Sequence, residues 1–159
     1  MPAPLSPSAQ KVQETLHTLG FDYIVIEFQE STRTAQEAAE RVGCTLGQII
    51  KSLVFKGKES GRAILVLTSG ANRVDEKRIS QYAGEPIGRA DPDFVRTATG
   101  FAIGGVPSLG HAQKLETYLD EDLLQHTSVW GAAGTPNAVF EMPASALQKM
   151  TNGKVVQVK

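Results

Sequence analysis

The 159-residue chain has one cysteine, one tryptophan and only 6% aromatic residues. A single cysteine, Cys44, excludes an internal disulfide and any metal site built from several thiolates. No apolar run nears the roughly 18–20 residues of a membrane-spanning helix. The opening "MPAPLSPSAQ" lacks the basic start and apolar core of a signal peptide. Charge of one sign is also missing: 16 Lys and Arg stand against 17 Asp and Glu. A net charge of −1 argues against a dedicated nucleic-acid binder. These absences point to a cytoplasmic protein with no membrane partner, and the length suits one domain over residues 1–159.

The average charge hides a gradient. From Lys51 to Arg78, seven basic residues face three acids, whereas Glu116, Asp120, Glu121 and Asp122 make a later stretch acidic. The basic stretch reads either as solvated surface or as a face for an anion.

Helix signals are local and clear. Ser6-Pro7 opens a helix with Val12, Leu16 and Leu19 on one face, and Gly20 closes it. Thr34 with Glu37 makes a capping-box pattern ahead of an alanine-rich helix that stops at Gly43, and Thr45 with Gln48 repeats the pattern. Asp75 caps a helix ending at Gly84, Asp91-Pro92 starts a brief one, and Pro143 starts the last. Strands are predicted at "FDYIVIEF", "IIKSLVFK", "RAILVLTS", "PIGRA", "ETYLD", "SVWGA", "AVFEM" and "KVVQV", the second and third joined by "GKESG" as a hairpin. Strands outnumber helices without alternating with them. The expected fold class is therefore α/β of the α+β type, a mixed, curved, barrel-like sheet flanked by helices.

Two features carry candidate chemistry. In "IIKSLVF", alternation puts Lys51 on the face of Leu53 and Phe55. Such a lysine reaches water at the strand end, contacts an anion or carbonyl, or acts as an amine of depressed pKa. In "GFAIGGVPSLGH", Phe101, Ala102 and Ile103 read as the end of a buried strand, after which Gly104 and Gly105 leave backbone N–H groups uncovered. Such groups can hold an oxyanion or a phosphate, or the glycines serve only a bend. No Gly-Lys-Ser/Thr follows, so this is no Walker loop. Ser108 is not in a G-x-S-x-G elbow, and His17 and His126 have no evident metal partner. Cys44 reads as a structural thiol and Trp130 as core. A pyridoxal-phosphate enzyme using Lys51 lacks a phosphate loop. No cofactor and no metal are expected.

"GQIIKSLVF", "TSGANRVD" and "RADPDFVRTATGFAIGGVPSLGH", in that order, resemble the YbaK/ProX-type family of aminoacyl-tRNA deacylases, relatives of the editing domain inserted in bacterial prolyl-tRNA synthetases. The resemblance is clearest from Gly47 to Pro143. It implies hydrolysis of the ester joining a wrong amino acid (Ala, Ser, Thr or Cys) to a tRNA 3′ end, by a free-standing trans-editing enzyme. The alternative it leaves is a non-catalytic tRNA- or synthetase-binding module, or a regulatory protein, of the same fold. Lys51 matches the family's strand lysine, tied to substrate binding and activity, and Gly104 to Ser108 match its glycine-rich loop. Lys51, Gly104 and Gly105 are thus the implied catalytic positions. Phe28, Thr32, Thr34, Ser69, Asn72, Val106, Pro107, Ser108 and His111 are the candidates for substrate binding. Ser108 stands where the family often has proline, and Val139 where some relatives carry aspartate. The implied partners are a mischarged tRNA acceptor end and a synthetase or elongation factor that would present it; the oligomeric state is left open.

Overall fold

The computed structural model describes residues 4–30 and 34–159. Among these residues eight strands form two sheets. The larger has five strands in the order β4-β2-β3-β5-β8, and the smaller three in the order β1-β7-β6. In the larger sheet, β2 (Ile50–Gly57) and β3 (Ala63–Ser69) are the predicted antiparallel hairpin, with Lys51 opposite Thr68. Strand β4 (Ile87–Arg89) pairs with β2 only over Phe55–Gly57. On the other side β5 (Glu116–Asp120) runs parallel to β3, and β8 (Lys154–Val156) parallel to β5. The smaller sheet is antiparallel throughout, from β1 (Val25–Glu27), β7 (Ala138–Pro143) and β6 (Ser128–Ala132). An isolated bridge between Ile49 and Trp130 joins the two sheets, which curve but do not close into a barrel.

Every residue of β3 is buried, because the strand lies between two cores. Leu65 and Leu67 face the main core with Leu16, Phe140 and Leu147. Ile64 and Val66 face a second core with Phe55, Ile79 and Val158. Burial of each such side chain contributes about 1.5–3 kcal/mol, which makes this hairpin the anchor of the fold.

The helices follow their caps. Helix α1 (Pro7–Thr18) buries Val12 and Leu16. In α2 (Ala35–Val42) the Thr34 side chain accepts the Glu37 N–H, and Gly43 closes the helix at φ 78°. Asp75 accepts two N–H groups at the start of α3 (Glu76–Ala83), and Asp91 one at α4 (Pro92–Thr99). Each cap contributes about 1 kcal/mol. A short α5 (Leu147–Thr151) follows β7. Among the described residues no helix is long and apolar enough to cross a membrane.

Three local expectations change. Leu19 lies one residue past α1 and is 56% exposed instead of sharing its buried face. The strand expected over "FDYIVIEF" shrinks to Val25–Glu27, because the Gln13 side-chain amide takes the Tyr23 carbonyl and the Val25 N–H at its start. No strand forms at Phe101–Ile103. There the Thr99 hydroxyl accepts the Phe101 N–H and donates to the Val95 carbonyl, folding the chain back over the end of α4.

Candidate functional site

The smaller sheet and the β2 hairpin diverge beyond the Ile49–Trp130 bridge, and a cavity of about 380 Å³ opens between them. Its walls are mostly apolar, with small residues set beside large ones: Ala35 and Ala38 from α2, Ile50 from β2, Trp130, Gly131 and Ala132 from β6, Ala138 and Val139 from β7. Lys51, Ser52 and Leu53 line one side, and Ile103, Gly104 and Val106 another. Among the described residues the lining contains no Asp, Glu or His.

Lys51 is half-buried, and its Nζ donates to the main-chain carbonyl of Asn72 at 2.8 Å. Burial first, then the Arg73 guanidinium, hold this amine below the ordinary lysine value, while Asp120 opposes them. The alternation read from sequence is present, since Lys51, Leu53 and Phe55 share the face of the second core. Lys51 sits where that core gives way to polar groups, opposite buried Thr68.

The glycine segment is built differently. Gly104 has φ +91°, a conformation an L side chain rarely adopts. Gly105 is a close approach instead: an added Cβ would lie 2.8 Å from the backbone of Gly134 and Thr135. Its N–H donates to the Ala102 carbonyl and its carbonyl accepts the Gly134 N–H, at 3.0 and 2.9 Å. The Gly105 N–H is therefore committed within the loop, and Ile103, Gly104 and Val106 are the residues of this segment that line the cavity.

The other sequence candidates scatter. Thr34 and Val106 line the cavity with Lys51 and Gly104. Thr32 lies outside the described residues. Phe28 packs under the Arg41 guanidinium, and its backbone pairs with Asn137. Ser69 and Asn72 lie behind Lys51: the Ser69 hydroxyl donates to the Gly47 carbonyl, and the Asn72 amide to Asp120 and Asp122. Pro107 is buried, and its carbonyl accepts a hydrogen bond from His111 Nε2 at 2.7 Å. Ser108 is buried with an unpartnered hydroxyl; it lines, with His111, a separate cavity of about 380 Å³. Burial lowers the His111 pKa, against the Pro107 bond.

Sequence reading passed over Asp120 and most of the walls. Asp120 ends "ETYLD" in an acidic stretch that looks like surface, yet it is 1% exposed. Trp130 is half-buried against the Ala38, Ala39 and Ile49 cluster and also lines the cavity. Cys44 is half-buried and free, its thiol pushed up by burial and by Glu141. Among the described residues no group of His, Cys, Asp or Glu is arranged to hold a metal ion.

The architecture is thus a mixed α/β domain whose two sheets part around a small cavity, walled by a strand lysine and a glycine loop. Residues 29–150 match the model of the aminoacyl-tRNA editing domain, and the chain belongs to that family. Among solved structures, one described as a candidate trans-editing enzyme for prolyl-tRNA synthetase is 50% identical and superposes with a TM-score of 0.93, covering 98% of this chain and 99% of that one. The uncharacterised YwhH of Bacillus subtilis is 36% identical over 131 residues, 82% of this chain and 83% of its own. EbsC of Enterococcus faecalis, named as a candidate Cys-tRNA(Pro)/Cys-tRNA(Cys) deacylase, is 24% identical over 143 residues, 89% of this chain and 87% of its own.

Proposed function

We propose that this chain acts in trans as an aminoacyl-tRNA deacylase, hydrolysing the ester of a small amino acid mischarged onto tRNA. The observation that carries the reading is that half-buried Lys51 and the glycine segment at Gly104 and Val106 line the same cavity. Water adds to the ester carbonyl carbon, the oxyanion collapses, and the ribose oxygen leaves with a proton, giving free amino acid and uncharged tRNA. Lys51 holds the terminal adenosine or polarises the carbonyl, and backbone N–H groups of the glycine wall meet the oxyanion. A well-placed donor of that kind contributes about 3–4 kcal/mol in other hydrolases.

A cavity of about 380 Å³ has room for a side chain the size of Ala, Ser, Thr or Cys. No Asp, Glu or His among the described residues lines the cavity, so the water is activated with help from the substrate's own ribose hydroxyl or amino group. The same observation favours a second reading, in which the chain binds tRNA or a synthetase without turnover. A panel of tRNAs mischarged with Ala, Ser, Thr, Cys and bulkier residues separates the two. Deacylase action predicts ester loss confined to the small residues; a flat result across the panel selects the binding module. Adding prolyl-tRNA synthetase or an elongation factor to the same assay tests whether a partner presents the substrate.

A further inference from the structure

Behind Lys51 lies a buried polar network that the proposed chemistry does not itself use. Asp120 ends β5, 48 residues along the chain from Asn72. Its Oδ2 accepts the Thr68 hydroxyl at 3.0 Å, the Ser69 N–H at 3.0 Å and the Asn72 side-chain amide at 2.8 Å. Its Oδ1 accepts the Asp122 N–H at 2.9 Å. The same Asn72 amide donates to Asp122 Oδ2, which is 3.1 Å from Lys159 Nζ. Asn72 is thereby fixed at its side chain while its main-chain carbonyl receives Lys51 Nζ.

We propose that Asp120 is the positioning residue for Lys51: it ties down the loop that offers the Asn72 carbonyl to Nζ, and it sets a buried negative charge behind the amine. Its importance for turnover rests on the role given to Lys51 above, but the coupling of the two residues does not. A buried carboxylate is retained at a cost unless its hydrogen bonds are satisfied, and here four donors satisfy it. The charged groups around Lys51 act in opposed senses. Arg73, in the loop after β3, disfavours the ammonium form; Asp120 favours it. Beyond Asn72, Asp122 is paired with Lys159, and His126 packs by Gly47 beside Ser69. Removing Asp120 leaves burial and Arg73 unopposed, so Lys51 loses its proton at lower pH.

The test reads Lys51 directly. Pulsed acylation with acetic anhydride across pH, followed by mass spectrometry, gives the amine's reactivity relative to the other lysines. In Asp120→Asn, Lys51 should become roughly tenfold more reactive at a fixed pH below its midpoint, the equivalent of about one pKa unit. The alkaline limb of any deacylase profile should move to lower pH with it. Asn72→Ala, which cuts the tether but keeps the charge, should raise Lys51 reactivity by a smaller factor. An unchanged reactivity curve in folded Asp120→Asn overturns the proposal. If that variant does not fold, an unchanged curve in Asn72→Ala does so. A shifted curve in a chain that deacylates nothing on the panel would sustain the coupling and sink the function; deacylation without the shift would do the reverse.

Discussion

The Lys51 wall of the cavity is held by buried polar groups, whereas the Gly104 wall is held by backbone contacts that leave no room for a side chain at Gly105. Behind Lys51, Asp120 gathers a hydroxyl, an amide and two N–H groups around one carboxylate. At the other wall, Gly105 exchanges hydrogen bonds with Ala102 and Gly134, and Pro107 with His111. The first wall is chemically specific but built from ordinary backbone. The second is chemically plain but depends on conformations and clearances that glycine supplies. The two walls should therefore fail differently when altered.

The largest expected effect is on the chemical wall. Lys51→Ala should lower deacylation of a susceptible small aminoacyl-tRNA at least about 100-fold, the scale of losing one charged or oxyanion contact. Its melting temperature should stay close to wild type, because a half-buried lysine losing proton affinity is no pillar of the fold. Wild-type turnover in this variant would remove Lys51 from the site.

On the other wall, stability and activity should fall together. Gly105→Ala sets a methyl 2.8 Å from the backbone of Gly134 and Thr135, where neither side can yield cheaply. Overpacking of this kind costs about 1–3 kcal/mol, so calorimetry should show a lower melting temperature alongside reduced ester hydrolysis. An unshifted melt would mean that the loop and the 134–135 backbone are not packed as described.

Gly104→Ala should have the smallest effect. The nearest atom to its added Cβ is Pro136 Cγ at 3.6 Å, an ordinary contact, so the cost is that of the positive φ alone, about 1–2 kcal/mol. If Gly104→Ala proves more damaging than Gly105→Ala, the wall is limited by conformation and not by clearance.

Much of this molecule was legible along the chain because the signals were local. Thr34, Asp75 and Asp91 cap the helices their spacing announces, and "GKESG" joins the hairpin expected of it. The fold class followed from counting strands against helices, although the sheets stop short of closing a barrel. The pocket candidates were less legible. Phe28, Ser69, Asn72, Ser108 and His111 lie near the motifs in sequence, yet their side chains turn away to Arg41, Gly47, Asp120, the second cavity and Pro107. Proximity along a chain says where a residue is, not which neighbour its side chain finds.

By itself, the sequence determined the caps, the hairpin, the alternation that sets Lys51 beside Leu53 and Phe55, and the two glycines after Ile103. Each depends on residues a few positions apart, whose backbone geometry is nearly dictated by local sterics and hydrogen bonding. The tertiary structure alone decided that β5 runs parallel to β3 and so carries Asp120 to Thr68, Ser69 and Asn72. It alone decided that Gly134 and Thr135 lie against Gly105 and commit its N–H-bearing loop to one shape. Those choices are made by burial. A carboxylate that reads as surface in sequence becomes buried once a parallel strand covers it, and it is tolerated there because four donors from distant parts of the chain meet it.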